Sequence, residues 1–308
     1  MYPYPIVTFA DGSGISLYEI FMLVGVIAAM VLFSVLAERR KMPGKLQNLI
    51  LVGIIASVIV GYLVAVLFQA VYNALATGKF VIDENTGATF YGGLIGGVIC
   101  MVIVYFVGAR ILYRSNDVAV RWFSTLANIA AACVPLAHAF GRIGCLMAGC
   151  CHGGETDAWY GIEMDIGALD GEYVKVVPIQ LFEAIFLFAL AAFLIVWFWK
   201  GKGMEVPVYL IGYGVWRFVI EFFRTDDRGA SIIPGLSPSQ TTAILLVLLG
   251  IAIVVAYFVI CRKKGKEFFA PPQGGAVSAA QKGEPAAEAP AAWHDAQADV
   301  GENEHKES

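Results

Sequence analysis

The chain has 308 residues, a mean hydropathy of +0.71 and only 15% charged residues. Those values exclude a soluble globular domain and leave an all-α, polytopic membrane protein. The net charge of −4 is divided among short clusters flanking apolar runs, so no basic face remains for a nucleic acid.

Residues 1–14 are an aromatic lead-in with Pro and Gly. The first apolar run, about Ile15 to Ala37, is followed by Arg39, Arg40 and Lys41, the reverse of a cleavable signal peptide. Further spans are predicted over about Leu46–Leu75, Phe90–Leu112, Trp122–Arg142, Ile179–Trp199, Val206–Arg224 and Ser239–Cys261. Pro135 lies inside the fourth and is expected to kink it. Residues 144–177 form the longest inter-helix segment, an expected external head with six acidic residues against Lys175. The segments after spans one, three, five and seven are basic, and those after two, four and six are not. Seven transmembrane helices then place the N-terminus outside and the C-terminus in the cytoplasm. Residues 1–265 form the expected membrane domain. Residues 266–308, rich in Pro, Ala, Gly, Glu and Gln, are an expected disordered cytoplasmic tail. No internal repeat is visible, which argues against an inverted-repeat transporter.

Polar residues within spans are costly and mark sites. On the sixth helix Tyr213, Arg217, Glu221 and Arg224 fall within an arc of roughly 80°. Glu221 is spaced to bridge both arginines, leaving one net positive charge. Such a stripe is either a structural ion-pair triad or an anion site, most naturally for a phosphodiester, whose oxygens match guanidinium donors. The fourth helix carries Asn128, His138 and Arg142 on a similar arc. Together they suggest a lipid-phosphate pocket open to the outer leaflet. Gly92/Gly96 and Gly93/Gly97 are small-xxx-small pairs that packing alone explains, and Tyr91 beside them suits a membrane-edge anchor. Cys145, Cys150, Cys151 and His152 admit three readings: small residues at a tight turn, a disulfide, or a soft-metal site.

Several of these motifs together resemble the prolipoprotein diacylglyceryl transferase family. They are Tyr18, Tyr91-Gly-Gly-Leu94, Gly141-Arg-Ile-Gly144 with Gly153, Pro178-Ile-Gln-Leu-Phe-Glu183, Tyr213-x3-Arg217-x3-Glu221-x2-Arg224, and Leu236-Ser-Pro-Ser-Gln240. The resemblance implies a multi-pass enzyme of the bacterial cytoplasmic (inner) membrane, working in the lipid bilayer without a cofactor or metal. Its implied partners are phosphatidylglycerol and prolipoprotein signal peptides, and it moves a diacylglyceryl group to the lipobox cysteine with release of glycerol phosphate. It further implies Arg142, Arg217 and Tyr91 as catalytic residues. Tyr18, Gly92, Gly93, Gly153, Glu183, Tyr213, Glu221 and Arg224 would bind substrate. The family pattern has His where Tyr91 stands, Asn at Cys145 and an acidic residue at Cys150. A relative that handles lipid, thiol redox or metal through the cysteine cluster is the alternative expectation.

Overall fold

The computed structural model describes residues 5–8, 14–83, 86–165, 173–201, 203–224 and 233–264; the expected tail at 266–308 lies outside them. Seven helices long and apolar enough to cross a membrane are present among these residues. They are α1 (Leu17–Arg39), α2 (Gly44–Thr77), α3 (Phe90–Tyr113), α4 (Asp117–Met147), α5 (Ile179–Trp199), α6 (Glu205–Ile220) and α7 (Pro238–Lys264). The seven-span architecture expected from hydropathy is therefore present.

Local chemistry sets the helix ends. Ser16 and Glu19 form a reciprocal capping box that starts α1. Gly78, at φ 75°, ends α2 in the left-handed conformation that glycine adopts without a Cβ penalty. Most helix ends lie within a few residues of expectation, α4 begins five residues early at Asp117, and two C-terminal ends bear on the site. α4 runs five residues past Arg142, to Met147, with Pro135 buried inside one uninterrupted helix. α6 stops at Ile220 and tightens into a 3-10 turn over Glu221–Phe223, after which Arg224 is extended. The 100° periodicity therefore does not reach Arg224.

Two short antiparallel strand pairs flank the helices, one before α1 and one between α4 and α5. β1 (Val7–Thr8) pairs antiparallel with β2 (Gly14–Ile15), and β3 (Ile162–Asp165) with β4 (Tyr173–Val176). The second pair packs on the end of α4: Leu146, Met164 and Val176 form a small buried core with Met147 and Leu181.

α4 is the most enclosed span and α7 the least. α1 packs along α4, α5 along α4, α6 along α7, and α2 along α3. Glycines permit the closest approaches. A Cβ on Gly25 would stand 2.9 Å from the Ala137 carbonyl oxygen, and one on Gly144 would stand 3.1 Å from that of Tyr18. Between α2 and α3 the contact is tighter, since a Cβ on Gly96 would meet three side-chain carbons of Val64 at 2.6–2.9 Å. Val64 is β-branched and stiff at χ1, so Gly96→Ala is expected to destabilise the protein by about 1–3 kcal/mol. Val64→Ala in the same chain is expected to return most of that loss. Thermal unfolding in detergent measures both, and additive effects would contradict the contact.

Candidate active site

The site is built on Glu183, one turn into α5. Its side chain is fully buried, so an ionised carboxylate there requires close positive partners. α4 supplies the first: Arg142 Nε lies 2.9 Å from Glu183 Oε2. α6 supplies two more groups: Arg217 Nη1 lies 3.8 Å from the same oxygen, and the Tyr213 hydroxyl donates to Oε1 at 3.1 Å. His138, one turn before Arg142, brings Nε2 to 4.0 Å from Oε1 and stacks edge-on against Tyr213. Three helices therefore converge on one carboxylate.

Arg217 extends the network to α7. Its Nη2 donates to Ser239 Oγ at 2.8 Å and lies 2.9 Å from Glu221 Oε2. Glu221 Oε1 in turn accepts from Ser237 Oγ, whose backbone N–H donates to Gln240. The spacing expectation that Glu221 pairs with Arg217 is met. Arg224, displaced by the 3-10 turn, contacts the Cys151 thiol instead of extending the stripe.

The cluster holds two guanidiniums close to carboxylates without saturating their donors. Among the described residues Arg142 Nε and Arg217 Nη1 are buried and meet no acceptor with hydrogen-bond geometry, although both are ion-paired with Glu183. Buried donors left in that condition are costly, and an anion placed between them would complete their bonding.

The other expected site residues are more scattered. Tyr18 packs on Gly144 and feels the charges of all three clustered thiols. The Tyr91 hydroxyl lies 3.1 Å from Thr242 Oγ1 on α7, and Thr242 spends its own proton on the Pro238 carbonyl, so Tyr91 is the donor. Thr242 is three residues from Ser239, which ties Tyr91 to the face of α7 that holds Arg217. Gly92 and Gly93 face α2, where a Cβ on Gly92 would stand 2.9 Å from Phe68 Cβ. Gly153 is pinned by its N–H to the Val177 carbonyl, and its missing Cβ leaves room for the Phe223 carbonyl oxygen, 2.7 Å from where it would be.

Gln180 and Ser239 stand inside motifs quoted from the sequence, Pro178-Ile-Gln-Leu-Phe-Glu183 and Leu236-Ser-Pro-Ser-Gln240, but neither is assigned a role there. Gln180 is fully buried and donates from Nε2 to the Cys150 carbonyl. Its position three residues before Glu183, on the same face of α5, was the available signal.

At the end of α4 the chain turns through Gly149 (φ 68°) and Cys151 (φ 63°). The turn brings the sulfurs of Cys145, Cys150 and Cys151 within 4.8 Å of one another, all three unbridged. The Cys151 thiol lies beside the Cys145 and Cys150 sulfurs and against the Arg224 guanidinium, surroundings that hold it well below the ordinary thiol range. Cys150, beside both neighbouring sulfurs and with its thiol donating to the Cys145 carbonyl at 3.7 Å, is pushed up.

Comparison with known proteins resolves the family. Residues 5–256 match the family model of prolipoprotein diacylglyceryl transferase. The chain belongs to that family. Phosphatidylglycerol--prolipoprotein diacylglyceryl transferase 2 of Clostridium perfringens is 32% identical over 245 residues, covering 77% of this chain and 90% of that protein. The corresponding transferase of Clostridium tetani is 30% identical over 237 residues, covering 76% of this chain and 90% of its own. That of Azoarcus sp. is 32% identical over 244 residues, covering 73% and 86%. This member of the diacylglyceryl transferase family has the Arg142–Glu183–Arg217 constellation at its centre and a three-thiol cluster at the end of α4.

Proposed function

We propose that this protein transfers the diacylglyceryl group of phosphatidylglycerol to the lipobox cysteine thiol of prolipoproteins, recognised through their signal peptides. The observation that carries this reading is the pair of guanidiniums, from α4 and α6, that converge on buried Glu183. Substitution at the glyceryl carbon breaks its bond to a phosphate oxygen, and the departing glycerol phosphate gains negative charge. Donors already fixed in a low-dielectric site stabilise that charge without reorganising. Arg142 and Arg217 take this role. Glu183 and Glu221 fix the two side chains, and Tyr213 and Ser239 complete the frame around them.

A membrane-facing groove of about 310 Å³, lined by Phe182, Ile185, Phe186, Ala189 and Trp216, lies along α5 and α6. Phe182 adjoins Glu183 in the chain, so the groove suits an acyl chain of the donor whose phosphate reaches Arg142. Arg39, Arg40, Lys200 and Arg262 gather at the opposite ends of the helices, which supports an N-terminus outside, a cytoplasmic C-terminus and residence in the bacterial inner membrane.

The purified protein, given phosphatidylglycerol and a lipobox peptide, is expected to yield a peptide heavier by one diacylglyceryl group together with glycerol phosphate. Mass spectrometry measures both, and absence of the thioether product from a folded, monodisperse preparation defeats the reading.

The hydrogen bond to Thr242 favours a positioning role for Tyr91, holding α3 against α7. Tyr91→Phe is accordingly expected to slow transfer by less than about tenfold, below the 10²–10⁴ range of a general base. A loss beyond a hundredfold in the same assay would restore Tyr91 as proton acceptor.

A further inference from the structure

The transferase reading leaves one chemical requirement without an owner. The acceptor thiol must lose its proton, because the thiolate is the nucleophile. Tyr91 already donates its own proton to Thr242. The three cysteines at the rim are also unused by that reading, and they lie beside Arg224 and within electrostatic reach of Arg142. Cys151 touches Arg224, and the charges of Cys145 and Cys151 act on Arg142.

Their arrangement is built rather than incidental. The Cys150 N–H donates to the Cys145 carbonyl at 3.2 Å, Gln180 clamps the Cys150 carbonyl from inside α5, and Cys151 is held in the left-handed region. Three sulfurs bound to one ion at about 2.3 Å each stand about 4 Å apart. Here all three lie within 4.8 Å of one another. A disulfide would use two of them and give no reason for the third to converge. A purely sulfur donor set selects thiophilic ions over magnesium or calcium. Among the described residues the group offers three ligands, and a zinc-like ion takes four. Three protein ligands with one open position is the pattern of catalytic zinc. Cys150 is exposed and the other two are partly so, which gives an ion and an acceptor a route in.

We propose that Cys145, Cys150 and Cys151 form a three-thiolate site for one thiophilic d10 cation of the zinc class, and that its fourth position takes the acceptor thiol. This rests on the transferase reading for the identity of that thiol. Coordination forms a metal–sulfur bond and releases the thiol proton to water. The bound thiolate then attacks the glyceryl carbon. The sulfur–carbon bond forms as the carbon–oxygen bond breaks, and the electron pair leaves with the phosphate oxygen toward Arg142 and Arg217. The thioether, a weak ligand, departs from the metal. No oxidant or reductant is consumed. The Arg224 guanidinium on Cys151 offsets the negative charge of the three thiolates and orients that ligand.

Cadmium reports the site, because each thiolate bound to it adds to an ultraviolet charge-transfer band. The full chain, purified in detergent, reduced and stripped with a chelator, is expected to bind one cadmium with the intensity of three thiolates. A lipobox peptide should raise that intensity by about one third, and its serine counterpart should not. Cys145→Ser, Cys150→Ser and Cys151→Ser should each weaken binding by at least about a hundredfold, above the loss of an outer-sphere partner. The wild-type thiolate count stands even if a variant misfolds. In parallel, zinc-loaded protein should transfer from phosphatidylglycerol at least about tenfold faster than stripped protein. A count below three, or no change on adding the cysteine peptide, overturns the proposal. So does full turnover by stripped protein, which leaves the transferase reading intact. No transfer by either form overturns the transferase reading instead, and the cadmium counts still decide the three-thiolate site.

Discussion

Arg142→Lys is expected to lower diacylglyceryl transfer by about a hundredfold or more while leaving the fold in place. Lysine keeps the charge near Glu183 but replaces a planar five-donor fork with a single mobile ammonium. Loss of one fixed donor at a developing oxyanion typically costs 10²–10³ in rate. Arg142 is 14% exposed at its side chain and Glu183 is 0% exposed, so this ion pair is sheltered and specific in geometry. Alanine is the harsher change, because it also leaves a buried carboxylate short of its nearest partner. That adds about 3–5 kcal/mol of destabilisation and confounds the rate. The lysine variant therefore separates chemistry from folding. Transfer to a lipobox peptide and rescue of a transferase-depleted strain measure it, and wild-type rescue by Arg142→Lys at equal protein level would remove Arg142 from the reaction.

Glu183→Gln is expected to be the most damaging single isosteric change. The amide can still accept from Tyr213, yet it no longer offsets Arg142 and Arg217. Two guanidiniums would then share a buried space with Glu221 alone. Breaking a buried pair from one side costs about 3–5 kcal/mol, or about 6–12 °C in Tm for a domain of this size. Because the missing element is negative charge, phosphatidylglycerol should raise the Tm of the variant more than that of the wild type. A variant that melts with the wild type, with or without anionic lipid, would mean that Glu183 does not organise the arginines.

Much of this architecture is legible in the sequence because a bilayer imposes a simple length and polarity code on each span. α5, predicted over Ile179–Trp199, has those bounds in the structure. The code fails where tertiary contacts decide. Nothing local marks Ile220 as the end of α6. The chain tightens there while Glu221 turns to Ser237 and Phe223 approaches Gly153. The stripe of Tyr213, Arg217 and Glu221 is visible from spacing, whereas Glu183, thirty residues from Tyr213, is marked in the sequence only by the family resemblance, and its pairing with the stripe emerges on folding. The convergence of the cysteines is hidden for another reason: it needs left-handed backbone at both Gly149 and Cys151, and cysteine gives no hint of that conformation.

Arg142 and Arg217 are matched in charge by Glu183 and Glu221, and Arg224 is taken up by the Cys151 thiol. The resting cluster is therefore close to electroneutral, and any phosphate entering it brings a surplus of negative charge. The departing glycerol phosphate carries more of that surplus than the lipid phosphodiester did, so a balanced site holds the product weakly once the carbon–oxygen bond has broken. Turnover is then protected from its own by-product.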